Sequence, residues 1–262
     1  MEKDWLSDRR PSDVMQGLAK GLAVIEAFQE GARGLSVSQA AARSGLDRAT
    51  ARRCLLTLHA LGYADYDGKY FRLTPRTLRL GHAYYRSASL PATVQPFLED
   101  LSKATGESAS VSLLDGAEVI YVARASQTRV MAINLTPGSR LPAYCASMGR
   151  VLLAALPPAE ARALLERADR PAHTPHTVTD VEDLMRILAT VAEQGYAAID
   201  QELELGLCSL SVPLLNGAGE VVAAMNIGAN AARSGAADMI ERYLPLMRQT
   251  QQRLRPLLDG PV

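Results

Sequence analysis

Residues 36–61 carry the feature that most restricts the fold, two short helices separated by a tight turn. Ser36 and Gln39 have the spacing of a capping box, which predicts a helix start, and Gly45 ends that helix. Asp47 then caps a longer segment in which leucine recurs at every third position near its end. Two helices joined by so short a turn are typical of a helix-turn-helix unit.

The charge of the chain is unevenly distributed. The 28 basic and 28 acidic side chains cancel overall, but residues 1–90 carry 14 Lys or Arg against 9 Asp or Glu. Residues 91–262 carry 14 against 19, so the two parts have opposite signs. A local basic excess attracts a phosphate backbone even when the whole chain is neutral. We therefore expect the N-terminal part to bind DNA.

The basic side chains lie where a DNA-reading helix needs them. In a helix-turn-helix, the second helix enters the major groove with its N-terminal residues against the base edges. Beyond it, Asp67-Gly68 separates two short runs of β pattern, which predicts a hairpin wing that contacts phosphate. The alternative for each arginine is a solvated helix face. The predicted DNA-binding residues are Ser38, Arg48, Thr50, Arg52, Arg53, Lys69 and Arg72.

A helix that starts at Pro75 follows the wing, and a small, polar stretch that ends at Pro91 marks a boundary. We expect a winged helix-turn-helix domain over residues 1–74, a linker helix over 75–90 and a second domain over 91–262.

The second domain shows strands, then helices, then strands again. This order predicts an α+β fold in which helices pack on an antiparallel sheet. The predicted strands are Ser108–Leu113, Val119–Arg124, Val130–Leu135, Tyr196–Asp200, Ser209–Leu215 and Glu220–Gly228. The predicted helices are Pro96–Ala104, Ser147–Leu156, Ala159–Glu166, Val181–Gln194 and a closing helix from Ala236 to Leu258, with a kink expected at Pro245.

Enzymatic patterns are weak. Gly217-Ala218-Gly219 lies between two predicted strands and is a hairpin turn, not a nucleotide-binding loop. His173 and His176 have no third ligand nearby, and no serine has a recognisable base partner. We expect no catalytic residues, no metal and no cofactor.

The sequence also indicates where the protein acts. The longest apolar runs fall far short of the roughly 20 residues that cross a bilayer, and the N-terminus does not resemble a secretory signal. The three cysteines are odd in number and far apart, which fits reduced thiols. We expect a cytoplasmic protein without membrane contact.

The predicted helix start at Ser147 points to a ligand. Free amide groups at a helix N-terminus hold an anion, so this start predicts an acidic effector. Cys145 precedes it and is among the predicted effector-binding residues, and a helix N-terminus lowers a thiol pKa. A redox-sensing role for Cys145 therefore stays open beside that of a small buried residue.

Taken together, these residues resemble the IclR-type transcriptional regulators over essentially the whole chain. The matching segments are LAKGLAVI at 18–25, LPAYCASMGRVLLAAL at 141–156, GYAAIDQE at 195–202, Gly206 and the final strand pair. Gly45–Arg53 and Ser139–Tyr144 bring the chain closest to the branch that controls protocatechuate, 4-hydroxybenzoate and β-ketoadipate breakdown.

The resemblance implies a GAF-like effector-binding and oligomerisation domain over residues 91–262. It also implies a dimer, often a dimer of dimers, on a palindromic double-stranded operator, with a contact to RNA polymerase possible. The family's effector contacts fall by position on Ser147, Met148, Asp200, Ser209, Asn226 and Gly228. This sequence departs from the family residues at most of these positions, which suggests a different ligand.

For a small aromatic or dicarboxylic acid, we expect Arg124 or Arg140 to pair the carboxylate. Apolar side chains wall the ring, with core packing as their alternative role. These are Met131, Ile133, Leu135 and Tyr144. The sequence thus predicts a regulator of aromatic-acid catabolism controlled by a carboxylate.

Several alternatives stay open. They are an IclR-type regulator of another small-acid pathway, a redox sensor that uses Cys145, a ligand-independent architectural DNA-binding protein, and an enzyme with a winged-helix appendage. The choice between activation and repression, the operator and the acid itself are also open.

Overall fold

The computed structural model describes residues 14–28, 34–127 and 135–258, with the backbone alone at 85–87. The chain divides into two compact units, Met1–Arg86 and Ser87–Val262, and this division lies within the predicted linker segment. In the described part, no helix is both long and apolar enough to cross a membrane.

The first unit is a winged helix-turn-helix, as predicted. Its elements are α1 (Gln16–Glu26), α2 (Val37–Ser44), α3 (Arg48–Ala60), β1 (Ala64–Tyr66), β2 (Phe71–Leu73), a 3-10 turn at Pro75–Thr77 and α4 (Leu78–Ser87). β1 and β2 pair antiparallel, and Leu35 adds a bridge to Phe71. Leu35, Phe71, Val24 and Leu55 are buried together in one apolar core.

The local signals that separate α2 from α3 are confirmed. Ser36 Oγ accepts from the Gln39 amide at 3.3 Å, and the Ser36 amide donates to Gln39 Oε1 at 2.9 Å. Gly45 ends α2 with φ +67°, a left-handed value that favours glycine. Asp47 accepts from the Thr50 amide at 2.9 Å, and its hydrogen bonds with Thr50 lower the pKa of the Asp47 carboxyl.

The second unit is the predicted α+β domain. Its strands are β3 (Ser108–Asp115), β4 (Glu118–Ala125), β5 (Arg140–Pro142), β6 (Ala197–Asp200), β7 (Leu207–Leu215) and β8 (Val221–Asn230), all antiparallel in the order β5-β4-β3-β8-β7-β6. Its helices are α5 (Leu90–Thr105), α6 (Ser147–Ala154), α7 (Pro158–Arg167), α8 (Val181–Gln194) and α9 (Ala236–Leu254). Two 3-10 turns lie at Ala143–Cys145 and Arg255–Leu257.

Two helix boundaries differ from the predictions, and one predicted strand cannot be compared. α5 starts at Leu90 rather than Pro96, because Pro91 lies in the first turn, where a helix needs no amide hydrogen. α9 continues through Pro245 and ends at Leu254, and a 3-10 turn replaces its predicted last residues. The strand predicted at Val130–Leu135 lies outside the described residues, apart from Leu135 itself.

The two faces of the sheet are covered differently. α5 and α9 cover one face, which carries the apolar side chains of β3, β7 and β8. α6 covers the other, and α8 packs behind α6. Gly149 lets α6 approach the preceding 3-10 turn, because a Cβ there would lie 2.2 Å from the carbonyl oxygen of Ala143. The site described below lies between α6 and the sheet.

Candidate effector site and DNA-binding surface

The first turns of α3 carry the predicted DNA-reading side chains. Arg48, Arg52 and Arg53 are exposed, as is Ser38 on α2, and Thr50 is partly exposed. These side chains are accessible to a groove of DNA, as direct readout requires.

The wing is stiffened around Asp67. Its carboxylate accepts from the amides of Lys69 and Tyr70, at 3.0 and 2.7 Å, and pairs with Arg72 at 2.7 Å. The ammonium of Lys69 lies over the Tyr70 ring, 5.2 Å from its centre, and remains exposed. The wing therefore presents Lys69 from a fixed turn, whereas Arg72 is engaged by a carboxylate.

A groove between α1 and α3 adds a cation that the sequence analysis missed. Lys20 of α1 lines it beside Thr50, Arg53 and Thr57. The interval between Lys20 and α3 gives no local signal, since only the packing of the two helices places them together.

A cavity lies in the second unit between α6 and the sheet, with about 530 Å³ of space when the open solvent at its mouth is included. Its walls are mostly apolar. Predicted effector residues that line it are Arg124, Leu135, Cys145, Ser147, Met148, Ser209 and Asn226. Lining residues that were not assigned to the effector are Ser108, Tyr121, Leu141, Ala146, Ile199, Leu203, Leu207 and Gly228, the last noted only as a family position.

Polar side chains line up across the sheet beneath this cavity. Arg124, Ser110, Asn226 and Ser211 are successive partners on β4, β3, β8 and β7, so all four point to the same face. Ser110 and Ser211 are completely buried. The alternation of serine with apolar residues in β3 is the sequence signal for this face, since serines buried at every second position indicate a polar lining rather than a solvated side.

Two buried polar atoms at the cavity have no hydrogen-bond partner within the described structure. They are Ser147 Oγ and Asn226 Oδ1. α6 begins beside them, and its N-cap residue, Ala146, has no side chain that can accept from the first amides. A buried polar atom without a partner is costly, so these atoms and amides favour a polar ligand in the cavity.

Arg124 supplies a positive charge to the cavity. Its Nη1 donates to Ser110 Oγ at 2.9 Å and its Nε to Ser126 Oγ at 3.1 Å. Within the described residues no carboxylate pairs with it, and burial lowers the pKa of its guanidinium. Neutral hydroxyls leave this charge uncompensated, so a carboxylate is the matching ligand group.

The structure corrects the predicted placement of three residues, none of which lines the cavity. Arg140 pairs instead with Asp115 and Glu118, both at 2.7 Å, at the exposed sheet edge. Tyr144 is buried among core side chains and donates to the carbonyl of Pro171 at 2.5 Å. Asp200 accepts from Cys208 Sγ at 3.1 Å. Met131 and Ile133 lie outside the described residues.

Cys145 lines the cavity, but its thiol is not activated. Burial raises its pKa to about 11, and the nearby charge of Glu202 acts in the same direction. The predicted lowering of the thiol pKa by the start of α6 is therefore wrong, because desolvation of the thiolate outweighs it.

No cluster of three or more His, Cys, Asp or Glu in the described residues is placed to hold a metal.

Comparisons with known proteins agree with this geometry. The family model of the IclR helix-turn-helix domain matches residues 17–68, and that of the bacterial transcriptional regulator IclR C-terminal domain matches residues 82–255. The Pca regulon regulatory protein of Pseudomonas putida is 44% identical over 95% of this chain and 86% of its own. The p-hydroxybenzoate hydroxylase transcriptional activator of Acinetobacter baylyi is 39% identical, over 95% of this chain and 94% of its own.

A solved structure resembles the second unit. It is a double mutant of the PobR inducer-binding domain from Acinetobacter in complex with 3-hydroxybenzoic acid. It is 34% identical to this chain, with a TM-score of 0.62, and the match covers 65% of this chain and 100% of that domain.

Proposed function

Because the chain belongs to the IclR family of bacterial transcriptional regulators, we propose that the cavity between α6 and the sheet holds its effector, a small aromatic or dicarboxylic acid. The protein is a DNA-binding regulator of aromatic-acid catabolism genes of the β-ketoadipate pathway, and a small carboxylate bound in its C-terminal domain controls it. A cytoplasmic location, where the protein meets its DNA, is part of the same proposal.

The observation that supports the proposal most is the guanidinium of Arg124, which lines the cavity and has no carboxylate partner among the described residues. Arg124 donates only to hydroxyls, and the uncapped start of α6 lies across the same cavity. A carboxylate accepts from both kinds of donor, since guanidinium and helix-terminal amides both favour anions. The apolar side chains of Tyr121, Leu141 and Ile199 provide contact surface for a ring or an alkyl chain.

The orphaned Asn226 Oδ1 adds a preference within this class. It is an acceptor, so a ring hydroxyl or another donor on the acid satisfies it. The proposal therefore ranks a hydroxylated aromatic acid above a simple dicarboxylate for this cavity.

Isothermal titration tests the proposal. The acids are protocatechuate, 4-hydroxybenzoate, β-ketoadipate and cis,cis-muconate, with pyruvate as the small control acid, each with and without operator DNA. We expect one acid of the pathway to bind far more tightly than pyruvate, and we expect Ser147→Leu, which fills the cavity at the start of α6, to weaken it with operator binding retained. If none of the acids binds, or if Ser147→Leu titrates as the wild type does, the cavity is not the effector site.

Self-association on a palindromic operator belongs to the same proposal. The described α1 and α4 leave large apolar side chains in solvent, an exposure that a second copy relieves. They are Leu18 and Leu22 on α1 with Met15 just before it, and Leu78 and Leu80 on α4. Light scattering of Leu18→Glu/Leu22→Glu, compared with the wild type, tests this: a smaller particle with weaker operator binding supports it, and an unchanged dimer or tetramer contradicts it.

Direct DNA contact is assigned to the exposed face of α3. Arg52→Ala and Arg53→Ala should each cost about 1–3 kcal/mol of operator binding if the side chain reads a base, with effector affinity unchanged. Loss of both activities in one variant would indicate misfolding instead. The proposal also requires that the bound acid be recovered unaltered after incubation, since its turnover would make the protein an enzyme.

A further inference from the structure

Residues 201–207, which run from the end of β6 to the first residue of β7, form one wall of the effector cavity. Leu203 and Leu207 face the cavity, whereas Leu205 between them is 60% exposed, so this wall is a single layer of chain with solvent outside. Of the other walls, α5 and α9 back the sheet and α8 backs α6, whereas Leu135 and Leu141 line the cavity from the sheet edge at β5. A wall without backing opens at a low cost in packing.

One buried ion pair holds this wall in place. Arg150 of α6 and Glu202 at the start of the wall are 3% and 7% exposed. Both guanidinium Nη atoms donate to the two carboxylate oxygens, each at 2.7 Å. This bidentate geometry fixes the direction as well as the distance between the two side chains.

The same guanidinium also holds the opposite side of the cavity. Arg150 Nε donates at 2.9 Å to the carbonyl of Tyr144, in the turn that carries Cys145 into α6. Arg150 therefore sets the separation between the start of α6 and the wall.

Hydrogen bonds to a neighbouring loop anchor the near end of the wall. Glu202 Oε2 accepts from the Val178 amide at 3.1 Å, and the Glu202 carbonyl accepts from Thr177 Oγ1 at 2.5 Å. Thr174 Oγ1 donates to the Gln201 carbonyl at 2.7 Å. The carboxylate of Glu202 is thus fully engaged, while the part of the wall beyond it is not anchored to this loop.

Hydrogen bonds of Gln201 join the two ends of the wall. Gln201 is the one non-glycine residue of the described chain with a positive φ, +58°, a conformation that is unfavourable for a side chain. Its amide donates to the Leu207 carbonyl and its Oε1 accepts from the Gly206 amide, both at 2.9 Å. The strain sits at the point about which residues 202–205 would swing, since the Gly206 carbonyl accepts from the Ala231 amide at 2.8 Å and fixes the far end.

We propose that residues 201–207 are the cover through which the effector enters and leaves, and that Arg150 and Glu202 are the positioning pair that keeps this cover closed. The inference rests on the proposed effector role of the cavity. The pair does not contact the effector: it acts by pressing Leu203 and Leu207 against the bound acid and by slowing its escape.

The test is the double variant Arg150→Met/Glu202→Leu. Replacing both members of a buried ion pair with apolar residues of similar volume is often neutral for stability, whereas removal of one member strands a charge. The matched control is Arg162→Met/Glu182→Leu, which removes an Arg–Glu pair on the exposed sides of α7 and α8. Stopped-flow fluorescence with protocatechuate, or with β-ketoadipate if only that acid titrates, gives both rates, since Tyr121 lines the cavity.

We expect the acid to dissociate about tenfold faster from the double variant, with an association rate at least equal to that of the wild type, and both rates unchanged in the control. A merely structural role would lower the unfolding midpoint without this change in rates. A double variant that folds like the wild type and releases the acid within about twofold of the wild-type rate would overturn the inference.

Hydrogen exchange of the wild-type protein provides a second measurement, which needs no variant to fold. In the free protein the Gly206 and Leu207 amides should exchange faster than those of the middle of β7, and the acid should protect them. Exchange as slow as that of β7 in the free protein would also overturn the cover. If no acid binds the wild type, the proposed function fails together with the cover; if the acid binds and only the kinetic and exchange effects are absent, the cover alone fails.

Discussion

Two arginines face the interior of the second unit, and their surroundings differ in one respect. Arg150 meets a carboxylate with both Nη atoms and a carbonyl with Nε, so its buried charge is fully compensated. Arg124 meets only the hydroxyls of Ser110 and Ser126, at a cavity with orphaned polar atoms. The first arginine completes the structure by itself, whereas the second requires an anion from outside. Arg150 therefore has a structural role, whereas Arg124 is available to bind an anionic ligand.

The largest effect should follow from the removal of Arg150 alone. Arg150→Met leaves the buried Glu202 without its partner, which should lower the free energy of unfolding by about 3–5 kcal/mol. Urea unfolding followed by circular dichroism measures this. The comparison fails if the single variant is as stable as the double variant of the pair, because Glu202 would then not need the guanidinium.

Arg124→Met should show the opposite pattern. Charge-assisted hydrogen bonds contribute about 1.5–3 kcal/mol, so the effector should bind roughly 10- to 100-fold more weakly, with no loss of stability. Arg140→Met is the matched control, since Arg140 is paired with Asp115 and Glu118 outside the cavity and its loss should leave the titration unchanged. Equal weakening in both variants would mean that net charge, not a contact at Arg124, attracts the acid.

The contrast between these arginines marks the limit of what the sequence could predict. The capping box at Ser36, the cap at Asp47 and the glycine stop at Gly45 act over three or four residues, and the structure confirms all three. The second unit was predicted less well at its site, although its strands and helices were largely found. Which side chains share a face depends on pairing between distant segments.

β4 shows why side-chain direction could not be predicted from the sequence. Tyr121 and Arg124 are three positions apart, so strict alternation places them on opposite faces. A register shift between Val111 and Ser112 makes them partners of Ser112 and Ser110, and both then line the cavity. A bulge of this kind leaves no mark in the sequence. Arg140 was assigned to the cavity for its charge and Asp200 for its family position, and neither basis shows the partners that hold these side chains elsewhere.

A third prediction gives Arg124 a carboxylate partner within the protein, as Arg150 already has. Ser110→Asp places a carboxylate beside Arg124, where Ser110 Oγ already lies 2.9 Å from Nη1. The new ion pair should compete with the effector and weaken effector binding by about tenfold. This is a smaller change than the one expected from complete loss of the guanidinium. Ser110→Asn, with the same bulk and no charge, is the control in the same titration. If the two variants bind the acid equally, steric filling rather than charge competition explains the loss.

The smallest effect is expected from Arg124→Lys, and it separates charge from shape. The hydroxyl partners of Arg124 do not require the planar, two-pronged geometry of a guanidinium, so a lysine ammonium keeps most of the attraction for the carboxylate. Effector binding should therefore weaken only about three- to fivefold. Arg150→Lys should be the more harmful of the two lysine substitutions for stability, because one ammonium cannot reproduce two parallel bonds to Glu202 and a third to the Tyr144 carbonyl. Titration of the first variant and urea unfolding of both measure the two effects. If Arg124→Lys loses as much affinity as Arg124→Met, the acid is held by a bidentate fork, and the two arginines differ only in whether their carboxylate belongs to the protein or to the effector.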